Sequence, residues 1–508
     1  MLSTPLHSIH RDLAVSHVLG PVRILLPAIA LFITYPILLH RNGLAVLGVW
    51  SVLSTVVTYT SLLDIGFTSA LTRAMAEGNR GVSISRVAAW RISASVIYLI
   101  GGALLCLVAS VGLIVIPLHS VGVLRREILA SVLLLVLAAV CQLLAKLELT
   151  VFRAHHQTYV EQWSMSVATT VTYLVGLIGA FLFHPVFFLA AGCLFANASL
   201  YTWVRWAARR RFHAFFAELR ATHPRMSLAA VRDLIEHGKH FFSLSLVFVI
   251  REPVFRLLIA WELGANVVGA YDIANRVPML IRELGASGSV ALFAGLSRLE
   301  PAAHPGEVLE LLQSAFFYLF AIGGTGLAGF AVWRDTLFAL WLGKVAIPGL
   351  SHYALLTALW WAITLINVPF FWLLQAWHRE KSLGLSVWLH TILLFVAVFL
   401  VPDLARDLTS MLTLWIVTGL GTQLIIFWVA ELDSGMTSRV LLDHRVLGYA
   451  VCAALITAGS VWLGGHLSGG GLFSHWVQTC WLAAYALVCG PFLWSLRPTP
   501  LRRVATTT

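Results

Sequence analysis

The feature that most constrains this sequence is a succession of long stretches without a single acidic or basic residue. They run Ile24–His40, Asn42–Leu63, Ile92–Leu124, Ile128–Ala145, Gln162–Val204, Leu311–Trp333, Val345–His378, Ser382–Pro402, Leu408–Ala430 and Val446–Leu496. A helix needs about 20 apolar residues to cross the hydrocarbon of a bilayer. Gln162–Val204 is long enough for two such helices and breaks at His184-Pro185. Val446–Leu496 breaks at the polar, glycine-rich Gly464–His475. Charged residues make up only 11% of the chain, about half the share of an ordinary soluble domain. The mean hydropathy is +0.86. A soluble core has no room for that much apolar surface, whereas a bilayer accepts helices that are apolar all round.

The fold class expected is therefore an all-α integral membrane protein of about fourteen transmembrane helices. The spans fall at 21–39, 44–63, 92–117, 128–151, 162–183, 185–206, 241–262, 266–288, 311–333, 353–375, 383–401, 408–430, 446–465 and 476–496. The first apolar run leads straight into a span, with no cleavage site of a secretory signal. Six cysteines, all within apolar runs, read as small buried hydrophobes. His155, His156, His237 and His240 have no ligand-type spacing and read as interfacial, so no metal and no cofactor is expected.

Basic residues set the orientation. With the N-terminus inside, 22 Lys and Arg fall on the cytoplasmic side and 6 on the other. Excess positive charge stays inside, which predicts two cytoplasmic termini. The net charge of +11 then faces anionic membrane lipids, and nucleic acid is not expected as a partner. Arg205–Lys239, rich in arginine and interleaved with Phe212, Phe215, Phe216 and Leu219, reads as an amphipathic helix on the inner leaflet.

An internal repeat divides the chain. Gly43, Gly48 and Trp50 recur 221 residues later as Gly264, Gly269 and Tyr271, and the same offset carries Leu63, Ala70 and Leu71 to Leu284, Ala291 and Leu292. The pattern predicts two pseudo-symmetric six-helix lobes in parallel orientation, with a cavity between them and alternating access by rocking. The expected domains are 1–237 with the cytoplasmic linker, 238–432, and 433–508 with two further helices and a tail.

Ionisable residues inside spans are functional candidates because each costs several kcal/mol unless paired or wetted. Glu252–Arg256 and Asp272–Arg276 are both spaced i, i+4. Spans seven and eight are antiparallel, so Arg256 and Asp272 are level, each about six residues from the turn, as are Glu252 and Arg276 at about ten. Either pairing neutralises two acids with two arginines. Arg251, beside Pro253, has no acid at helical spacing on its own helix. It reads either as a ligand for an anionic cargo or as the partner of a distant helix. Arg23, in the first turn of span one, reads either as its counterpart or as a side chain snorkelling to the interface. Lys146 and Glu148 read as interfacial.

The stretch Leu47–Gly81 carries Gly48-x-Trp50, Leu62-Leu63-Asp64-x-Gly66, Ala70-x-x-Arg73 and Ala76-Glu77, and LGANVVGAYDIANRV opens the second half. These features resemble the Wzx-type polysaccharide-unit flippases, relatives of the peptidoglycan precursor flippases and the MATE exporters. The resemblance implies transport of an undecaprenyl-diphosphate-linked oligosaccharide, an O-antigen or exopolysaccharide unit, across the bacterial inner membrane. It implies other polysaccharide assembly proteins as partners, and no enzymatic activity. Asp64, Gly66, Arg73 and Glu77 then form a cytoplasmic gate motif, while Asp64 read locally is a cap for a short helix bearing Arg73 and Glu77. Substrate contacts would come from Arg23, Arg251, Arg256 and Arg276, and charge balance or ion coupling from Glu252 and Asp272. The alternative within the fold is a cation-coupled exporter of small molecules, which usually needs a membrane carboxylate in the first lobe; span one has none. A membrane polymerase or glycosyltransferase usually places its chemistry in a large external loop, and the largest here, about 334–352, has only Arg334, Asp335 and Lys344 as charges.

Overall fold

The computed structural model describes residues 6–60, 64, 67–77, 83–115, 125–155, 157–182, 184–222, 226, 228–287, 296, 305–343, 345–377, 380–434, 437–466 and 471–496. All regular elements among them are helical. The chain divides into two compact units, Met1–Asp272 and Ile273–Thr508.

The first unit holds α1 (Leu6–Asn42), α2 (Leu44–Thr60), α3 (Phe67–Glu77), α4 (Ile84–Val115), α5 (Arg125–Ala154), α6 (Thr158–Phe181), α7 (Pro185–Arg211), α8 (His213–Ala221), α9 (Leu228–Glu262) and the start of α10 (Ala265–Ala286). Pro185 opens α7 at its first position, where its missing N–H costs nothing. Apolar positions of α3 to α9 meet in one core that includes Phe67, Leu71, Trp90, Tyr98, Leu143, Leu149, Phe152 and Leu200. The opposite faces carry exposed Leu, Ile, Phe and Trp side chains, among them Ile100, Leu104, Phe195 and Trp206. An apolar core with an apolar outside is the pattern of a protein solvated by lipid.

Eleven helices among the described residues are long and apolar enough to cross a membrane. α2, α9 and α10 occupy the places of the three other expected spans; α2 is short, and α9 and α10 carry the intramembrane charges. Helices also extend beyond the apolar runs. α4 starts at Ile84 rather than 92, because Arg86 and Arg91 find acidic partners there. Arg86 makes two bonds to Asp233, at 2.6 and 2.5 Å, and Arg91 bonds Glu148 at 2.8 Å.

One expectation needs correction. The basic segment 205–239 is not a single surface helix: it comprises the end of α7, the nine-residue α8 and the first turns of α9. Phe216 and Leu219 of α8, with Ala230 and Leu234 of α9, are buried in the first unit's core instead of facing lipid. Protein packing takes the apolar stripe that the sequence assigns to the membrane surface.

The two turns of the repeat match closely. Gly43 ends α1 and Gly264 ends α9, both with φ +84°, a conformation that only glycine adopts without strain. The next repeated pair makes a reciprocal contact. A Cβ on Gly48 would lie 1.7 Å from the Ala265 carbonyl oxygen, and one on Gly269 would lie 2.4 Å from that of Leu44. Ala265 is the 221-residue equivalent of Leu44, so α2 and α10 cross about a local two-fold relation at their paired glycines. Trp50 and Tyr271, the third repeated pair, are both buried. Leu63, Ala291 and Leu292 lie outside the described residues.

The second unit contains the rest of α10, then α11 (Pro305–Tyr318), which runs through a π-turn, Leu319–Gly324, into α12 (Thr325–Leu342). It continues with α13 (Leu350–Ile366), α14 (Val368–Ala376), α15 (Glu380–Leu400), α16 (Leu408–Ser434), α17 (Thr437–Leu441), α18 (His444–His466) and α19 (Gly471–Leu496). The π-turn frees the Phe320 carbonyl, which accepts hydrogen bonds from Tyr449 of α18 and from Thr325, both at 3.0 Å. Tyr449 also stacks on Phe320 and bonds the Tyr485 hydroxyl of α19. The last two long helices are thereby fastened to α11 and α12 by a satisfied polar group rather than by apolar contact alone.

The glycine crossing yields a direct test. Gly48→Ala and Gly269→Ala each force a methyl into a backbone oxygen, which has no rotamer to yield, and each should cost about 1–3 kcal/mol. Gly459→Ala, on α18 with open space around it, should be neutral or stabilising. Thermal midpoints of the purified variants in detergent measure the difference; equal midpoints for all three would contradict the close crossing.

Candidate functional site

The candidate site forms in the first unit, where α1, α9 and α10 meet on a buried carboxylate. Asp272 is fully buried. Tyr35 of α1 donates its hydroxyl to Asp272 Oδ2 at 2.7 Å, and Arg256 Nη2 lies 3.5 Å from Asp272 Oδ1. The same Arg256 Nη2 donates to Glu252 Oε1 at 2.8 Å, one helical turn away on α9. Arg256 therefore takes both pairings the sequence allowed it, along its own helix and across to α10. Proximity follows from the turn: Arg256 and Asp272 each lie eight residues from Gly264, and Tyr35 lies eight from Gly43. All three are about 12 Å along their helices from the glycine turns.

The site brings two carboxylates, the Arg256 guanidinium and a phenol together. The bonds fix Asp272 in place, and Arg256 is shared between two carboxylates. Glu252 is half-buried and Arg256 is 8% exposed, so the network is closed at Asp272 and more open at Glu252. Arg251 is half-buried on α9 next to Glu252, and Arg276 is half-buried on the part of α10 that belongs to the second unit. Arg23 is exposed on α1, 20 residues before Gly43. That separates it from the level of Tyr35 by about 18 Å. Its backbone carbonyl accepts the Ser166 hydroxyl of α6 at 3.2 Å.

The motif after span two forms a separate cluster. Asp64 caps α3 by accepting the Thr68 N–H at 3.0 Å and the Thr68 hydroxyl at 2.6 Å, and it also accepts the Tyr98 hydroxyl of α4 at 2.7 Å. Its local reading as a cap is thus realised, with α4 added as a third point of attachment. Gly66 lies outside the described residues. Arg73 and Glu77 are on α3, with side chains outside the described residues.

Tyr35 and Tyr98 are the carboxylate partners that sequence reasoning missed. Neither carries a local signal, because each lies in an apolar run and its acidic partner is distant in sequence. Among the described residues no group of three or more His, Cys, Asp or Glu is arranged to hold a metal ion.

The family described as "Polysaccharide biosynthesis protein" matches residues 22–299. No curated protein matches the sequence. Solved structures share the fold. The lipid II flippase MurJ in an inward closed conformation aligns with a TM-score of 0.60 at 10% identity, over 94% of this chain and 98% of that one. An inward-facing multidrug resistance MATE family transporter of the MOP superfamily aligns at 0.60 and 13% identity, over 84% and 99%. A MOP superfamily transporter from Pyrococcus furiosus, described as having a binding pocket of reverse polarity, aligns at 0.55 and 13% identity, over 83% and 96%.

The carboxylate network makes a stability prediction. Tyr35→Phe removes a hydrogen bond to a buried charge and should cost about 1.5–3 kcal/mol. Asp272→Ala leaves Arg256 its bond to Glu252, and the Glu252→Ala/Asp272→Ala double variant removes both carboxylates. Its loss should exceed the sum of the single losses, because one partner compensates for the other only while it is present. Thermal midpoints of the four proteins check this; strictly additive losses would show that Arg256 is not shared.

Proposed function

The chain belongs to the polysaccharide biosynthesis protein family, and on that premise we propose that it is a Wzx-type flippase. It carries an undecaprenyl-diphosphate-linked oligosaccharide from the inner to the outer leaflet of the bacterial inner membrane. The supporting observation is the sign of the charge within its apolar helices. Arg23, Lys146, Arg251, Arg256, Arg276 and Arg282 lie there against Glu148, Glu252, Asp272 and Glu283, and the first span has a cation, Arg23, and no carboxylate. A small cationic excess, with a first span whose charge is cationic, favours an anionic cargo, and guanidinium binds phosphate as a two-pronged donor.

The mechanism consistent with the repeat is rocking of two halves, residues 1–237 and 238–432, with 433–508 as two accessory helices. The paired glycines at α2 and α10 are the contact that must part when the halves open at that end. The charged headgroup passes between the halves while the polyprenyl tail stays in lipid. In this reading Arg251 and Arg256 meet the diphosphate with Arg276, Arg23 serves the cytoplasmic entrance, and Glu252 and Asp272 keep the arginines in check until cargo arrives. Asp64, Gly66, Arg73 and Glu77 form the inner gate. The partners are the lipid-linked sugar, membrane lipids and other polysaccharide assembly proteins.

Flipping of a lipid-linked sugar in proteoliposomes tests the function. At equal protein level Arg251→Ala should lose most of the activity, and Arg251→Lys should keep part of it, since an ammonium replaces the charge and not the fork. Full activity in the alanine variant removes Arg251 from the mechanism, and no flipping by the wild type rejects the function.

Topology is tested separately. Both termini and the loop around Ala221 should be cytoplasmic. A cysteine at Ala221 should react with an impermeant thiol reagent only after the membrane is opened; reaction in intact cells would invert the orientation.

A further inference from the structure

Lys146 lies eight residues before the end of α5, within a run of leucines and alanines. An ammonium at that depth costs several kcal/mol unless paired or wetted. Its sequence neighbour Glu148 is turned to another face and holds Arg91 at 2.8 Å, with both side chains nearly buried. Two more distant acids lie close enough to act on the Lys146 charge, Asp64 and Glu161, and so do two cations, Arg153 and Arg23.

Both acids are already engaged. Glu161 receives two bonds from the Arg153 guanidinium. Asp64 accepts from Thr68 twice and from Tyr98. Among the described residues no carboxylate comes within ion-pair distance of Lys146. The cluster therefore holds three cations against two committed acids, and its surplus charge resides on Lys146 and on exposed Arg23. Lys146 is only half-buried as a residue, so part of its side chain stays accessible.

Helical geometry supports the grouping. Lys146 and Arg153 are two turns apart on one face of α5, about 10 Å along the axis. Arg23 comes from α1 and Glu161 from α6, helices joined at this level by the Ser166 hydroxyl on the Arg23 carbonyl. The result is a cationic recess in the first unit, built by α1, α5, α6 and the Asp64 turn. It stands apart from the Asp272 network, which lies toward the glycine turns.

We propose that Lys146, with Arg23, is a binding site for the phosphate group of a lipid-linked cargo, receiving it before it reaches the arginines of α9. This rests on the flippase reading and names the residue that first holds the cargo's charge. Lysine suits a transfer point. Its ammonium is a compact charge with freely rotating donors, so it attracts a phosphate without the fixed two-pronged grip of arginine. The bonds within the Arg153–Glu161 and Asp64–Tyr98–Thr68 groups keep the recess in shape when the ligand is absent.

The experiment measures binding of undecaprenyl diphosphate, and of undecaprenol as the phosphate-free probe, to the full chain in phosphatidylcholine nanodiscs. Lys146→Met should weaken diphosphate binding by about tenfold or more, the loss of one charge-assisted contact, and leave undecaprenol binding unchanged. Lys146→Arg should retain most of the affinity. Inorganic diphosphate should compete, and phosphatidylglycerol at the same concentration should not. The proposal is overturned if Lys146→Met binds the diphosphate as the wild type does, or if it loses both probes equally. It is also overturned if phosphatidylglycerol competes as well as diphosphate, which would make the recess a general anionic-lipid site. If the methionine variant does not fold, folded Lys146→Arg decides alone: loss of diphosphate affinity despite a retained charge refutes the site. Flipping separates this inference from the function. Flipping at the wild-type rate by Lys146→Met removes the site and leaves the flippase, whereas a wild type that binds diphosphate without flipping keeps the site and removes the flippase.

Discussion

A charge in hydrocarbon must find an opposite charge, a polar neighbour or water, and the interior of this protein is organised around that requirement. Asp272 is the clearest instance. It has no access to solvent, and it is held by a phenol from α1 and a guanidinium from α9. Three helices are thus brought to one point by a single carboxylate. Arg91 with Glu148, Arg153 with Glu161 and Asp64 with Tyr98 repeat the arrangement elsewhere in the first unit. In a soluble protein such pairs break even against apolar packing. In lipid, apolar packing gives helices little reason to prefer one another over the solvent. Polar bonds and close backbone contact therefore decide which helices meet.

Close contact is the role of the glycines. Gly48 and Gly269 bring α2 and α10 to backbone distance, and Gly43 and Gly264 turn the chain into those helices with the same φ. The repeat offset reaches into the carboxylate site as well. Tyr35 and Arg256 are equivalent under the 221-residue shift, and both address Asp272. The equivalent of Asp272 in the first half is Ser51, a fully buried neutral residue. A duplicated framework thus carries an unduplicated charge. The first half supplies a neutral donor and the second supplies the ions, so the pseudo-symmetry holds the backbone while the chemistry is concentrated on one side.

Much of this could be read from the sequence, for identifiable reasons. Span positions follow from uncharged length, and the glycine turns follow from spacing. The Arg256–Asp272 pairing follows from counting residues on either side of a short turn, which fixes depth in antiparallel helices. What was not legible depends on contacts between helices far apart in the chain. Tyr35 and Tyr98 look like any aromatic residue of a span until their acids are found 237 and 34 residues away. Lys146 reads as interfacial from its distance to the helix end, and only the commitment of Asp64 and Glu161 to other partners changes its meaning. The basic segment after α7 misled in the opposite sense. Its periodicity is real, but the face it defines packs on protein, because α4 offers Arg86, Trp90 and Arg91 as partners at the same level.

The distribution of charge along the helices gives direction to the first unit. From the glycine turns inward come Tyr35, Arg256 and Asp272 at one level, then Arg251, which is 13 residues from Gly264, and deepest Arg23, 20 residues from Gly43. At about 1.5 Å per residue these are depths of about 12, 20 and 30 Å. Carboxylates occupy the shallowest of the three levels in pairing contact with arginine, whereas at the deepest level the acids are committed and a cation is exposed. An anion entering from the deep end meets attraction first, and it meets closed ion pairs only as it nears the glycine crossing. On the proposed flippase reading, it would advance by substituting for Glu252 or Asp272 as a partner of Arg256. Such an exchange of one anion for another would keep the guanidinium paired and avoid a bare charge in hydrocarbon. Because Tyr35 holds Asp272 from α1, the proposed flippase reading would couple release of that carboxylate by an incoming anion to the packing of α1 on α9 and α10.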